Sequence, residues 1–159
     1  MKSYDEEFIG NQINTERLAR ILSRKWRNIV HYEYEQDTGR LYGPDGLLLA
    51  IGYAGGDGGN RPDGVNNHKL QNVHNVGPLP CGTYTLGTPV EGSHLGPFAI
   101  PLEPDANNEM FGRSGFYCHG DTQALNHSAS DGCIILPHHI RLEMWSDECH
   151  SLLVYVESE

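Results

Sequence analysis

The chain has 159 residues, with 21 acidic against 11 basic side chains and a net charge of −10 when histidine is neutral. That length supports one domain with a real core, and that charge argues against nucleic acid or an anionic membrane as a partner. No apolar run is long enough to span a bilayer, and the opening MKSYDEEFIGNQ lacks the apolar core of a classical signal peptide.

Residues 1–28 are predicted to form a helical extension. Asn14 or Thr15 can cap the helix and Glu16 favours its first turn. Leu18, Ile21, Leu22 and Trp26 then fall on one face, with Arg20, Arg24 and Lys25 toward the C-terminal end. Two readings stay open: a helix packed on the domain, or an export or docking segment.

From residue 29 to 159 the pattern is that of a second, mainly β unit. Val30, Tyr32 and Tyr34 alternate with polar residues, which signals a strand. A turn at Asp37–Arg40 leads to a short strand around Leu41, and Gly43-Pro44-Asp45-Gly46 is a second turn. Leu47 to Tyr53 reads as one buried strand. The stretch from Gly55 to Asn75 is rich in Gly, Asn and Asp, and a loop of that length in a compact domain is expected to be functional and to border a site. Further strands are expected at 83–86, 98–102, 115–119, 133–136 and 152–156. Pro137 opens a short helix to about Glu148, with Ile140 and Met144 one turn apart. The nineteen glycines and nine prolines agree with many turns and few long helices.

The four cysteines, Cys81, Cys118, Cys133 and Cys149, form no CxxC motif. Cys118 precedes His119 on an expected strand, so the two side chains face opposite sides. Cys81, Cys118 and Cys149 read as structural. Cys133 is different. It closes Ser-Asp-Gly-Cys at 130–133, fourteen residues after the histidine of His-Gly-Asp at 119–121. A thiol needs a base to act as a nucleophile at neutral pH, and two strands lying side by side would bring His119 to Cys133. Gly132 permits close backbone approach, and amides near Gly132 and Cys133 are candidates for stabilising an oxyanion. His127 is the rival base. Asp121 serves either an Asx turn or the substrate, and Ser130 and Asp131 flank the thiol within the same loop. Arg113, followed by Ser114, offers a guanidinium fork for a carboxylate. A zinc site built from His119, Asp121, His127 and His138 is an alternative, as is a non-enzymatic module with an inert Cys133.

The ordered set GPLPCGTYTLG (77–87), HGD (119–121) and SDGCI (130–134) resembles the L,D-transpeptidase catalytic domain. Together with YEYEQDTGRL, IGYAGGDGG, VNNHKLQNVHNV and GRSGFYCHGD, it is closer to the Tlde1 family of type VI secretion effectors. The likeness runs from about Ile29 to Glu157. It implies an L,D-transpeptidase-like β-sandwich or barrel (α+β in class), with Cys133 as nucleophile and His119 as base. It implies L,D-carboxypeptidase and D-amino acid exchange activity on peptidoglycan stem peptides, with no cofactor or metal. Partners implied are a cognate immunity protein and a component of the secretion machine. Export without a classical leader and action in the periplasm of a target bacterium follow from the same resemblance. Two positions depart from ordinary L,D-transpeptidases. Asp131 stands where a histidine is usual, and Ile135 where an arginine follows the cysteine, so Arg113 or Arg141 is left to anchor substrate.

Overall fold

A computed structural model describes residues 30–92 and 94–157, together with Thr15, Leu18, Ala19 and Leu22. The chain divides into two compact units, Met1–Val30 and His31–Glu159. In the first, Thr15, Leu18, Ala19 and Leu22 are helical. The cap at Asn14 and the positions Ile21 and Trp26 lie outside the described residues.

The second unit is mainly β. Its strands are β1 (Tyr32–Glu35), β2 (Arg40–Tyr42), β3 (Leu48–Ile51), β4 (Tyr53–Ala54), β5 (Gly82–Leu86), β6 (Ile100–Pro104), β7 (Tyr117–His119), β8 (Ile134–Ile135) and β9 (Ser151–Tyr155). One helix, α1 (His138–Ser146), lies between β8 and β9. The strand order is β3-β2-β1-β9-β5-β6-β7-β8-β4. β1 runs parallel to β9 and β7 parallel to β8, while the other pairs are antiparallel.

The first and last strands of that order, β3 and β4, are separated in the chain by Gly52 alone, so the sheet curls back on itself. The run read as one buried strand is therefore two strands around a corner. Only glycine fits there, because a Cβ on Gly52 would lie 2.1 Å from the Ile135 carbonyl oxygen. The burial expectation for this run needs correction, since Leu47, Leu48 and Ile51 are exposed. β3 pairs with β2, and of its residues Leu49 and Ala50 pack against the core while Leu48 and Ile51 face outward.

The core gathers Tyr32, Tyr34 and Leu41 from one end of the sheet, and Tyr84, Ile100, Ile134 and Leu152 from the middle. Ile140 and Met144 supply the buried face of α1, as their one-turn spacing predicts. The polar partners in β1 are not solvent-facing, because Glu33 and Glu35 are buried as well. Glu35 accepts the Thr38 hydroxyl at 2.6 Å and lies 3.8 Å from Arg40. The long loop is held by three 3₁₀ turns, at Asp57–Gly59, Pro62–Gly64 and His68–Leu70. It is stitched to the segment before β8: Gly55 N–H donates to Ser130 Oγ (2.8 Å) and Gly58 N–H to the Ser130 carbonyl (3.1 Å).

Candidate active site

The β7–β8 pair sets the geometry. Its register places Cys118 opposite Ile134 and His119 opposite Ile135. Paired residues of parallel strands project to the same face, and neighbours alternate. Cys118 and Ile134 therefore enter the core, where both are buried. His119 takes the other face, and with Cys133 lines a single cavity of about 760 Å³.

His119 is buried, and its Nδ1 lies 2.9 Å from the Gly120 carbonyl. A carbonyl only accepts, so Nδ1 carries the proton of the neutral ring and Nε2 keeps the lone pair. Burial pulls the His119 pKa below the ordinary histidine value. The Gly120 bond and Asp121 oppose this, while the Arg141 and His94 charges add to it. Burial also pushes the Cys133 thiol up to about 11, despite the Tyr117 N–H that donates to Sγ at 3.3 Å. Both shifts favour a thiol and a neutral imidazole over a preformed thiolate–imidazolium pair, an arrangement in which His119 can serve as a base.

Ser130 shapes the turn before Cys133. Its hydroxyl is fully buried, donates to the Cys133 carbonyl (2.6 Å) and accepts from the Gly55 and Gly132 amides. The Gly132 N–H is thereby used, at 3.0 Å, and the amides that meet the sulfur are those of Tyr117 and Cys133 itself. Gly132 has φ +147°, and a Cβ there would lie 2.6 Å from Arg113 Nη2 and 2.8 Å from the Phe116 ring. Glycine is required on both counts.

Arg113 is the cause of that crowding. It is buried beside the cavity and donates to four backbone carbonyls. Nη1 reaches Gln71 (2.5 Å) and Pro78 (2.8 Å), and Nη2 reaches Gly77 (3.0 Å) and Asp131 (3.2 Å). Its cation also sits 5.1 Å from the Phe116 ring centre. The fork read as a substrate anchor is occupied by the protein's own backbone. Ser114 and Asp131 are exposed and line the cavity wall.

Asp121 also borders the cavity, yet its oxygens face inward to its own loop. Oδ1 accepts the Tyr53 hydroxyl (2.6 Å) and the Thr122 amide (2.9 Å), and Oδ2 faces the His127 amide (3.4 Å). Tyr53 completes the brace by accepting from the Ala129 amide at 3.0 Å. His127 stacks on Tyr53 with ring centres 4.5 Å apart and is exposed, outside the cavity wall. His138 packs edge-on against Phe98 at the start of α1, 6.0 Å between centres. Among the described residues no three His, Cys, Asp or Glu side chains are placed to hold a metal ion.

The long loop contributes its last residues, His74 and Asn75, to the cavity, while Asn66 instead caps the Ala54 amide at 3.0 Å. Sequence reasoning missed Tyr53, Tyr117, His94 and Pro97. The two tyrosines read simply as strand aromatics, and no local motif marks His94 or Pro97.

Residues 57–157 match the Tlde1 domain family. No curated protein sequence matches the chain. Among solved structures, the Ldtfm–avibactam carbamoyl enzyme shares 14% identity at a TM-score of 0.47, over 81% of this chain and 49% of that one. An Enterococcus faecium L,D-transpeptidase, crystallised as a cysteine-to-serine mutant, shares 15% identity at a TM-score of 0.49, over 79% and 49%. The chain thus matches about half the length of each of these structures. The family match covers well over half of the chain and includes both strands of the Cys133–His119 cavity, and the chain belongs to the Tlde1 domain family.

Proposed function

We propose that the protein is a cysteine-dependent L,D-carboxypeptidase and L,D-transpeptidase acting on tetrapeptide stems of peptidoglycan. One observation carries the reading. His119, with Nδ1 committed to the Gly120 carbonyl, opens into the same cavity as Cys133. The family match and the order of motifs along the chain support the substrate class.

The steps follow from the resting protonation states. His119 Nε2 takes the thiol proton as Sγ attacks the carbonyl carbon before the terminal D-alanine. The Tyr117 and Cys133 amides, which reach Sγ in the resting site, are the proposed donors to the developing oxyanion. Collapse breaks the C–N bond, and the imidazolium returns its proton to the leaving D-alanine amine. A thioester remains on Cys133. Water, deprotonated by His119, completes hydrolysis, and the amine of a free D-amino acid completes exchange. The biological setting we propose is interbacterial antagonism: delivery by a secretion machine, action in a target cell's periplasm, and a cognate immunity protein in the producer.

The test is mass spectrometry of muropeptides after incubating purified peptidoglycan with wild-type protein and with Cys133→Ala. Loss of D-alanine from tetrapeptides, or its replacement by an added D-amino acid, with wild type alone is the expected result. An unchanged profile with folded protein would overturn the reading, as would D-alanine loss that persists in Cys133→Ala.

A further inference from the structure

One buried side chain touches both supports of His119 without reaching the reacting atoms. Arg141 belongs to α1 and is 3% exposed. Its Nε donates to the Leu136 carbonyl at 3.1 Å. Its Nη1 donates to the carbonyls of Pro97 (2.8 Å) and Phe98 (2.7 Å). Its Nη2 packs against Gly120, where a Cβ would stand 3.0 Å away.

Leu136 and Gly120 are the residues that hold His119. The Leu136 amide donates to the His119 carbonyl at 3.0 Å, and the Gly120 carbonyl takes the Nδ1 proton at 2.9 Å. Arg141 therefore grips the backbone and the ring of the base through one intermediary each. It also fixes Pro97, part of the cavity wall. Among the described residues no carboxylate lies within ion-pair distance of the guanidinium, and the Glu91 charge acts on it only from farther off. A buried cation without a close counter-ion is costly, and an apolar side chain would fill the same volume more cheaply. Its field is also little screened at that depth.

We propose that Arg141 is a positioning residue for the base: it fixes the His119 imidazole through Gly120 and Leu136. The same buried guanidinium, packed against Gly120, repels a protonated ring. The role as base rests on the function proposed above. The groups whose charge His119 feels are Arg141 from α1, His94 from the cavity wall and Asp121 from the loop after β7. Burial is the largest influence holding the ring neutral; Arg141 and His94 act in the same direction and Asp121 against it.

The experiment is an NMR pH titration of full-length protein carrying labelled histidine, with His119 assigned through His119→Gln. It compares wild type, Arg141→Gln and Arg141→Lys. With the cation removed, the His119 midpoint is expected to move to higher pH; with lysine it stays at the wild-type position. A midpoint that does not move in Arg141→Gln, or that rises equally in Arg141→Lys, overturns the charge effect. Should Arg141→Gln fail to fold, Arg141→Lys still decides: its midpoint must remain low. Its plateau kcat must also fall while KM holds, because lysine cannot span the three carbonyls. Wild-type kcat in Arg141→Lys overturns the positioning role. The titration uses no substrate, so a failed peptidoglycan assay and a failed Arg141–His119 coupling are separate results.

Discussion

Two cysteine–histidine pairs invite comparison in this unit, and only one of them lines a cavity together. Cys81 Sγ lies 3.9 Å from His68 Nδ1, a distance that by itself suggests a second dyad. That nitrogen, however, lies 2.6 Å from Gln36 Oε1. The Gln36 amide is oriented by its own donations to the Leu79 carbonyl (2.8 Å) and to Gln71 Oε1 (3.2 Å), so Oε1 is an acceptor and His68 Nδ1 must carry hydrogen. The nitrogen facing Cys81 has no lone pair to offer. At His119 the same nitrogen is spent on a carbonyl, and the lone pair is left on Nε2, in the cavity shared with Cys133. Both rings carry the proton on Nδ1: at His68 that nitrogen faces the thiol, whereas at His119 it is turned to the Gly120 carbonyl, and His119 and Cys133 line one cavity while Cys81 does not share the one that His68 borders.

The largest test of this contrast is a pair of alanine variants. Cys133→Ala should lose at least about 10³-fold in turnover of tetrapeptide stems, whereas Cys81→Ala should stay within about twofold of wild type. Equal losses would erase the distinction between the pairs. Arg113 physically bridges the two sites, because it holds the Gln71 and Asp131 carbonyls at once. Arg113→Met leaves four carbonyls without that donor and should cost about 3 kcal/mol in denaturant unfolding. If Arg113 instead served as a substrate anchor, Arg113→Lys would raise KM and leave the unfolding midpoint unchanged.

That Cys133 and His119 border one site was legible in the sequence because both sit in short motifs: a strand histidine before Gly-Asp, and a cysteine after Ser-x-Gly. Strand positions were legible for the same local reason, through alternation at Tyr32 and Tyr34 and the turn residues that follow. The corner at Gly52 was not, since nothing in LLLAIGY distinguishes a straight strand from one whose halves pair with β2 and β8. Arg113 and Arg141 were the hardest to read. A guanidinium close to a site motif suggests a substrate carboxylate, and only the fold shows backbone carbonyls converging on each. Ser130 lay between these cases. Its place in the motif was plain, but its partner Gly55 is 75 residues away.

Ser130→Ala probes the scaffold of the competent pair at smaller scale. It strands the Gly55 and Gly132 amides and removes the donor to the Cys133 carbonyl. A loss of about 1–2 kcal/mol is expected by chemical denaturation, together with a fall in kcat, since the nucleophile's backbone is no longer held. Full stability with full activity would mean that the hydroxyl is dispensable to the turn.

The smallest difference between the pairs should appear in simple alkylation. Burial pushes both thiols up to about 11, with the Asp37 charge adding to the effect at Cys81 and Asp131 at Cys133. At neutral pH each is then overwhelmingly the thiol. Iodoacetamide labelling, followed by peptide mapping, should be slow at both and rise with pH toward 11, with rates within about tenfold of each other. Stem-peptide hydrolysis should behave differently: its acid limb lies below the ordinary histidine value, where His119 loses its lone pair, and it flattens at neutral pH. Separate profiles of this kind place the proton transfer inside the attack step. A Cys133 that already alkylates at its full rate by pH 7 would instead mean a standing thiolate–imidazolium pair, and His119 would no longer differ from His68 by base catalysis alone.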